Sequence, residues 1–334
     1  MTTPLIEARN VVRNYYSRRG VFGQPVQVRA VDGVSLKIAR GETLGLVGES
    51  GCGKSTTARL LLGMEPADEG AVLFEGQPLP SADSADWRSL RRRMQMVFQD
   101  PLGALDRRLP AGKQITEPLD IHRIGTPAER QARLATLLEA VGLRPDFAAR
   151  YPHELSGGQR QRAVLARALA TDPELLICDE PISALDVSIQ AQVMNLLTDI
   201  QAELGLGILF VSHDLRAVRQ VSHRVAVMYL GRIVEEGPPD AVLHDPRHPY
   251  TQALVSAIPH PGKTTGRTIL EGDPPNPADR PSGCAFHPRC PVATSFCAET
   301  SPNLTGAGQG RAVACHVAQG TVAAGSGLSA RKVA

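Results

Sequence analysis

Gly48-Glu49-Ser50-Gly51-Cys52-Gly53-Lys54-Ser55 fits the pattern G-x-x-x-x-G-K-[ST] at every fixed position, and its flanks agree with it. Thr43-Leu44-Gly45-Leu46-Val47 upstream reads as a buried strand, and Thr56-Thr57-Ala58-Arg59-Leu60-Leu61-Leu62 downstream reads as a helix. The glycines let backbone N–H groups close around phosphate oxygens with no Cβ in the way. The start of the helix brings its positive dipole end to the same place. This pattern predicts a nucleotide-phosphate site formed by Gly48, Ser50, Gly51, Cys52, Gly53, Lys54, Ser55 and Thr56. Lys54 is placed to reach the β- and γ-phosphates, and the Ser55 hydroxyl to ligate Mg²⁺.

The rest of the chain bounds what such a site can drive. Its 334 residues suggest roughly two domains, and a 42% hydrophobic content is ordinary for a globular protein. A net charge of +2 argues neither for nor against nucleic acid. No run approaches the ~18 apolar residues a membrane-spanning helix needs, and residues 1–10 carry Glu7 and lack a long apolar stretch, so no signal peptide is expected. Cys52 and Cys178 lie inside the nucleotide motifs as free thiols, which fits a reducing compartment. The expected location is therefore the cytosol.

In chain order, Ala30-Val31-Asp32-Gly33-Val34-Ser35-Leu36-Lys37-Ile38 contains a period-2 strand pattern. Upstream, Asn14-Tyr15-Tyr16 offers either an adenine-stacking ring or a half-buried strand tyrosine, and spacing does not choose between them. Met94-Gln95-Met96-Val97-Phe98-Gln99 reads as a strand whose last residue can touch Mg²⁺ and the attacking water; Asp100-Pro101 then turns the chain. Arg91-Arg92-Arg93 lacks interleaved aromatics and reads as a solvated helix face. Residues 102–150 read as mostly helical, with Thr126 capping a helix that has Pro127 at its first position. Leu155-Ser156-Gly157-Gly158-Gln159 precedes a helix expected from about Arg160 to Ala170. Leu175-Leu176-Ile177-Cys178-Asp179-Glu180 is an apolar strand that delivers carboxylates at its C-terminal end. Asp179 suits the Mg²⁺ water shell, and Glu180 suits a general base or an orienter of water. Ser183-Ala184-Leu185-Asp186 opens the next helix with an acid at its positive end. The buried strand of residues 207–211 ends at Ser212-His213-Asp214, where His213 can hold the γ-phosphate. A hairpin is expected around Leu230-Gly231.

These motifs, in this order and spacing, resemble the ATP-binding cassette of ABC transporters. The resemblance implies an α/β fold: a P-loop cassette with a mixed-sheet core, an antiparallel β subdomain and a helical subdomain at about residues 100–165. It narrows further at Gln99-Asp100-Pro101, Glu180-Pro181-Ile182-Ser183-Ala184-Leu185-Asp186-Val187-Ser188, Met228-Tyr229-Leu230-Gly231 and Arg247-His248-Pro249-Tyr250-Thr251. Those segments are similar to the ATPase subunits of dipeptide and oligopeptide importers. Membership would make Tyr15 the adenine-stacking ring, with Tyr16 as fallback. It implies two cassettes, ATP lying between the phosphate loop of one and Ser156, Gly157, Gly158 and Gln159 of the other. The second ATPase subunit can be a paralogue or a copy. Two transmembrane permease subunits would complete the assembly, with an extracytoplasmic binding protein, no nucleic acid, and a peripheral seat on the cytoplasmic face of the inner membrane. The alternative function is a soluble ABC ATPase acting on nucleic acid or ribosomes. Such chains usually hold two cassettes or a long inserted coiled coil, and this one shows neither.

From about residue 259 the texture changes, so the chain divides into residues 1–258 and a C-terminal extension, 259–334. Pro259-His260-Pro261-Gly262-Lys263 and Asp273-Pro274-Pro275-Asn276-Pro277 are rich in turns. Cys284, Cys290, Cys297 and Cys315 follow, separated by five, six and 17 residues. Four thiols in a cytosolic, core-poor segment suggest a metal staple. The paired knuckles of zinc sites are missing, and a [4Fe–4S] cluster suits the spacing; zinc and free thiols remain alternatives.

Overall fold

The computed structural model describes residues 3–18, 25–82, 84–100, 103–183, 185–258 and 275–324. The apolar stretch before the phosphate loop is strand β3, Thr43–Val47, buried along its whole length. It lies centrally in an eight-stranded sheet of order β11-β12-β10-β9-β3-β8-β7-β6. The members are β6 (Met94–Val97), β7 (Leu175–Asp179), β8 (Gly207–Ser212), β9 (Arg224–Tyr229), β10 (Arg232–Gly237), β11 (Thr305–Gly306) and β12 (Ala312–Val313). The run from β9 to β6 is parallel, and β10, β12 and β11 add antiparallel strands at one edge.

Both faces of this sheet are covered, which explains why its strands are apolar at consecutive positions. Leu175 and Ile177 of β7 pack on one side with Leu44 and Leu46. Leu176 and Cys178 pack on the other with Ile208 and Phe210. The first side is roofed by a four-stranded antiparallel sheet of order β2-β1-β4-β5, built from β1 (Ile6–Arg18), β2 (Pro25–Ile38), β4 (Glu69–Phe74) and β5 (Gln77–Pro78). The second side carries a helical layer.

The helices are α1 (Lys54–Leu61), α2 (Ala85–Arg93), α3 (Ala111–Ile121), α4 (Pro127–Ala140), α5 (Gly157–Leu169), α6 (Val187–Leu204), α7 (Leu215–Val221), α8 (Pro239–His244), α9 (Pro249–Ser256) and α10 (Ser295–Glu299). Helix α4 starts where its sequence says it should. Thr126 accepts from the Glu129 N–H, and the Glu129 carboxylate accepts from the Thr126 N–H, closing a capping box. Ala111, Ile115 and Leu119 of α3 join Leu134, Leu137 and Leu138 of α4 in the core that reaches the sheet.

Two boundaries depart from the sequence reading. Strand β6 ends at Val97, so Gln99 stands two residues beyond it in a turn. Helix α5 begins at Gly157, three residues earlier than expected, because Ser156 and Gln159 form a capping box. Of the basic run, Arg91 and Arg92 are exposed, but Arg93 is paired with Glu174 and Glu75. Pro101, Ala184 and the stretches 259–263 and 273–274 lie outside the described residues.

The C-terminal segment is built onto the main sheet. Strand β12 pairs with β10 through Glu235↔Val313 and Glu236↔Ala312. Phe286, 1% exposed, packs edge-on to Tyr229 at 5.2 Å and beside Tyr250 at 5.5 Å. Arg311 is buried and donates to the carbonyls of Asp245 and Ala241, at 2.7 and 2.6 Å, beyond and within α8.

Candidate functional site

The phosphate loop connects β3 to α1 and is shaped by close backbone approaches. A Cβ on Gly48 would sit 2.2 Å from the Met228 carbonyl oxygen, and one on Gly53 2.2 Å from the Ala30 carbonyl oxygen. Gly53 also holds φ 108° as the N-cap of α1. The hairpin turn at Leu230-Gly231 supports the loop from behind, the Gly231 N–H donating to the Cys52 carbonyl at 2.7 Å.

The Lys54 ammonium donates to the carbonyls of Gly48 and Glu49, at 2.9 and 3.0 Å. It is thereby held inside the loop that would receive phosphate. Ser55 Oγ donates to Asp179 Oδ1 at 3.0 Å. Burial raises the Asp179 pKa; the Ser55 hydrogen bond opposes the rise and the neighbouring Glu180 adds to it. Ser55, Asp179 and the Gln99 amide thus offer hard oxygen donors of the kind Mg²⁺ takes.

Glu180 leaves β7 in a left-handed conformation, φ 48°. Its N–H is held by the Val211 carbonyl of β8 at 2.9 Å. One carboxylate oxygen, Oε2, accepts from Gln99 Nε2 at 3.2 Å and lies 3.3 Å from His213 Nδ1. These three side chains come from the ends of three adjacent parallel strands, the topological place where such sheets bind ligands.

A cleft of about 550 Å³ brings together Ser50, Gly51, Gly53, Lys54, Ser55, Thr56, Gln99, Glu180 and His213, all expected from sequence, with Ala30, which was not. Gly48 and Asp179 do not line it but are hydrogen-bonded to Lys54 and Ser55, which do. The Cys52 side chain is buried and burial raises its pKa, so at this position only the backbone can face a phosphate. Tyr15 lies outside the cleft lining. Its hydroxyl donates to Glu65, and the Arg13 guanidinium lies 5.2 Å from its ring centroid. Tyr16 is 69% exposed. Ser156, Gly157, Gly158 and Gln159 are also apart from the cleft, at the N-terminus of α5.

All four C-terminal cysteines line one small enclosed space beside Phe286, His287 and His316. Burial raises the pKa of Cys284 and Cys315 and pushes Cys290 up to about 12, so without a cation these are neutral thiols. Among the described residues no three His, Cys, Asp or Glu side chains are grouped to hold a single metal ion. That gives no support to a metal centre on these cysteines, whether zinc or an iron–sulfur cluster.

The ABC transporter family model matches residues 31–183, and the model for the C-terminal region of oligopeptide/dipeptide transporters matches residues 234–297. Full-length relatives extend that match. The oligopeptide transport ATP-binding protein AppF of Bacillus subtilis is 48% identical over 94% of this chain and 97% of its own. The dipeptide transport ATP-binding protein DppF of Haemophilus influenzae is 45% identical over 94% of this chain and 96% of its own. The chain belongs to the ATP-binding subunits of oligopeptide/dipeptide-type ABC transporters. Its fold agrees with solved cassettes. A dimeric ATP-binding cassette bound to ADP and phosphate aligns with TM-score 0.62 and 30% identity, covering 70% of this chain and 98% of that one. The cbiO1 protein of Clostridium perfringens, part of an ABC transporter complex, aligns with TM-score 0.63 and 28% identity over 73% of this chain and 92% of that one. This family subunit binds and hydrolyses ATP with Mg²⁺. The reading as a nucleic-acid or ribosome ATPase loses its support.

The hardest residues to anticipate were Glu49 and Tyr250. Glu49 occupies a variable position of the loop motif, yet its N–H donates to the Tyr250 hydroxyl at 2.9 Å. The Arg247-His248-Pro249-Tyr250 motif carries only a family resemblance in the sequence, and nothing local ties it to residue 49.

Proposed function

We propose that this chain is the ATP-hydrolysing subunit that powers uptake of di- or oligopeptides through a membrane ABC importer. The observation that carries this is the shared point of Gln99, Glu180 and His213 at the mouth of the phosphate loop, in a chain nearly half identical to named peptide-transport subunits. Lys54 and the loop N–H groups hold the phosphates. Ser55, Gln99 and Asp179 would hold Mg²⁺, which would neutralise charge on the phosphates. Glu180 takes the proton from, or orients, the water that attacks the γ-phosphorus, and His213 holds the γ-phosphate. The attacking oxygen forms the new P–O bond as the bond to the β,γ-bridging oxygen breaks, leaving ADP and inorganic phosphate.

Tyr15 stacks on the adenine once nucleotide enters. Residues 156–159 serve the phosphate loop of a second cassette, a reading supported by their position away from this chain's own cleft. Closing and opening of the pair would drive two permease subunits, with an extracytoplasmic binding protein choosing the substrate. No helix among the described residues is long and apolar enough to cross a membrane, which suits a peripheral subunit on the cytoplasmic face. Residues 259–334 form an extension carrying a [4Fe–4S] cluster on Cys284, Cys290, Cys297 and Cys315. All four cysteines line one small space, which supports this reading. Bound there, the cluster supplies a cross-link between distant parts of the extension.

Reconstitution tests the main reading. The chain, co-expressed with the permease genes and a second ATPase subunit, should co-purify with both membrane subunits and show peptide-stimulated ATP hydrolysis in vesicles. Assembly with no membrane subunit, or stimulation by nucleic acid instead, would sink it. For the cysteines, brown protein absorbing near 400 nm and bleaching on reduction is expected; colourless protein with stoichiometric zinc would refute the cluster.

A further inference from the structure

The cysteine-bearing segment touches the phosphate loop through one side chain. Arg289 closes the 3₁₀ turn His287–Arg289, directly before Cys290. Its guanidinium grips Glu49 at two points, Nη1 donating to Oε2 at 3.0 Å and Nη2 to Oε1 at 3.3 Å. The pair is sheltered, with the Arg289 side chain 7% exposed and that of Glu49 27% exposed. Glu49 is fastened at its other two polar groups as well: its N–H donates to the Tyr250 hydroxyl, and its carbonyl accepts from Lys54 Nζ at 3.0 Å. Two of these three holds come from residues C-terminal to the catalytic motifs.

A carboxylate in the second position of a phosphate-binding loop works against the loop's purpose. Unneutralised, it repels polyphosphate, and being partly sheltered it is only weakly screened. A two-point guanidinium clamp cancels that charge and fixes the direction of the carboxylate.

We infer that Arg289 is a positioning residue for the phosphate loop, holding and neutralising Glu49 so that the C-terminal segment sets the affinity for ATP. The inference rests on residues 48–55 being the ATP site, and it adds a control on that site from some 240 residues away in sequence.

Binding of a fluorescent ATP analogue with Mg²⁺, and steady-state hydrolysis, are measured on the full chain and four variants. Arg289→Ala should weaken binding on the order of tenfold and raise KM with kcat changed less than about twofold. Arg289→Lys, which keeps the charge but not the clamp, should fall between. Glu49→Gln alone should bind at least as well as the wild type. Combining Arg289→Ala with Glu49→Gln should restore affinity to within about twofold of wild type, since the unpaired carboxylate is gone. Unchanged affinity in Arg289→Ala, or no rescue in the double variant, overturns the inference and leaves Arg289 a packing residue of its own segment. Should Arg289→Ala fail to fold, weakened binding in Glu49→Gln overturns it equally. A wild-type chain that binds no ATP would overturn the site assignment instead.

Discussion

Glu180 holds a backbone conformation that few non-glycine residues adopt, and it does so at the point where three strand ends meet. The left-handed turn sends its carboxylate toward Gln99 and His213. Glu180→Gln keeps the shape and removes the base. Hydrolysis, followed by phosphate release, should fall by about 10²- to 10⁴-fold while ATP still binds and the two-chain form accumulates on size exclusion; normal turnover would remove Glu180 from its role. Asp179 predicts a different pair of effects. Its folded pKa is raised by burial, so its ionisation opposes folding. Such a group favours the folded state fully below the ordinary Asp value, and that contribution is lost as pH rises from there through the raised folded value. Asp179→Asn should therefore raise the Tm of the nucleotide-free chain at neutral pH. The same change should abolish Mg²⁺-dependent stabilisation by ATP. A lowered Tm in calorimetry without nucleotide would contradict the first half. Both carboxylates were legible, because an apolar strand ending in two acids has few structural uses. The direction of Glu180 and the burial of Cys52 were not, because they depend on strands that meet only in the folded sheet.

At the level of elements, the start of α5 shows how a motif can be read for the wrong feature. The two glycines drew the helix start to about Arg160, whereas Ser156 with Gln159 three residues later is itself a helix-start signal that puts it at Gly157. Gly158 is small for packing reasons: a Cβ there would meet Ile189 Cγ2 at 2.5 Å, where α5 crosses α6. Gly158→Ala should cost about 1–3 kcal/mol, seen as a lower urea midpoint; an unchanged midpoint would mean that α6 yields without strain. The start of α9 predicts a pH effect. His248 Nδ1 accepts from the Tyr250 N–H at 3.1 Å in full burial, and burial drives the His248 pKa from 6.5 down to about 3. Between those values the unfolded chain binds a proton and the folded chain does not. Stability from this residue is fully present above pH 6.5 and is lost as pH falls toward 3. His248→Asn can keep the cap without the proton uptake. It should flatten the decline of Tm over that interval, and an unaltered slope would assign the acid limb to other groups.

Across the whole molecule, the cassette could be anticipated because its motifs recur at strand ends and helix starts, where a few residues fix local geometry. The antiparallel roof was less visible, since β1 and β4 pair across two intervening strands, the phosphate loop and α1. The position of the last 50 or so described residues could not be read at all. Their turn-rich composition suggests a separate extension, but Phe286, Arg289 and Arg311 each make a contact that only long-range folding supplies. Sequence spacing gives no warning of such pairings.

Strands β11 and β12 are two residues each, yet they occupy the one flank of the main sheet where β10 would otherwise present bare N–H and C=O groups. A shortened chain ending after α9 would keep every nucleotide motif and lose this guard. It would also uncover the Tyr229–Tyr250 pair, whose rings are 4.6 Å apart. Open sheet flanks beside exposed aromatics template stacking of further copies. Such a fragment should bind ATP briefly and then aggregate, with light scattering rising with concentration while the full chain stays dispersed. The small terminal strands would then matter less for catalysis than for solubility.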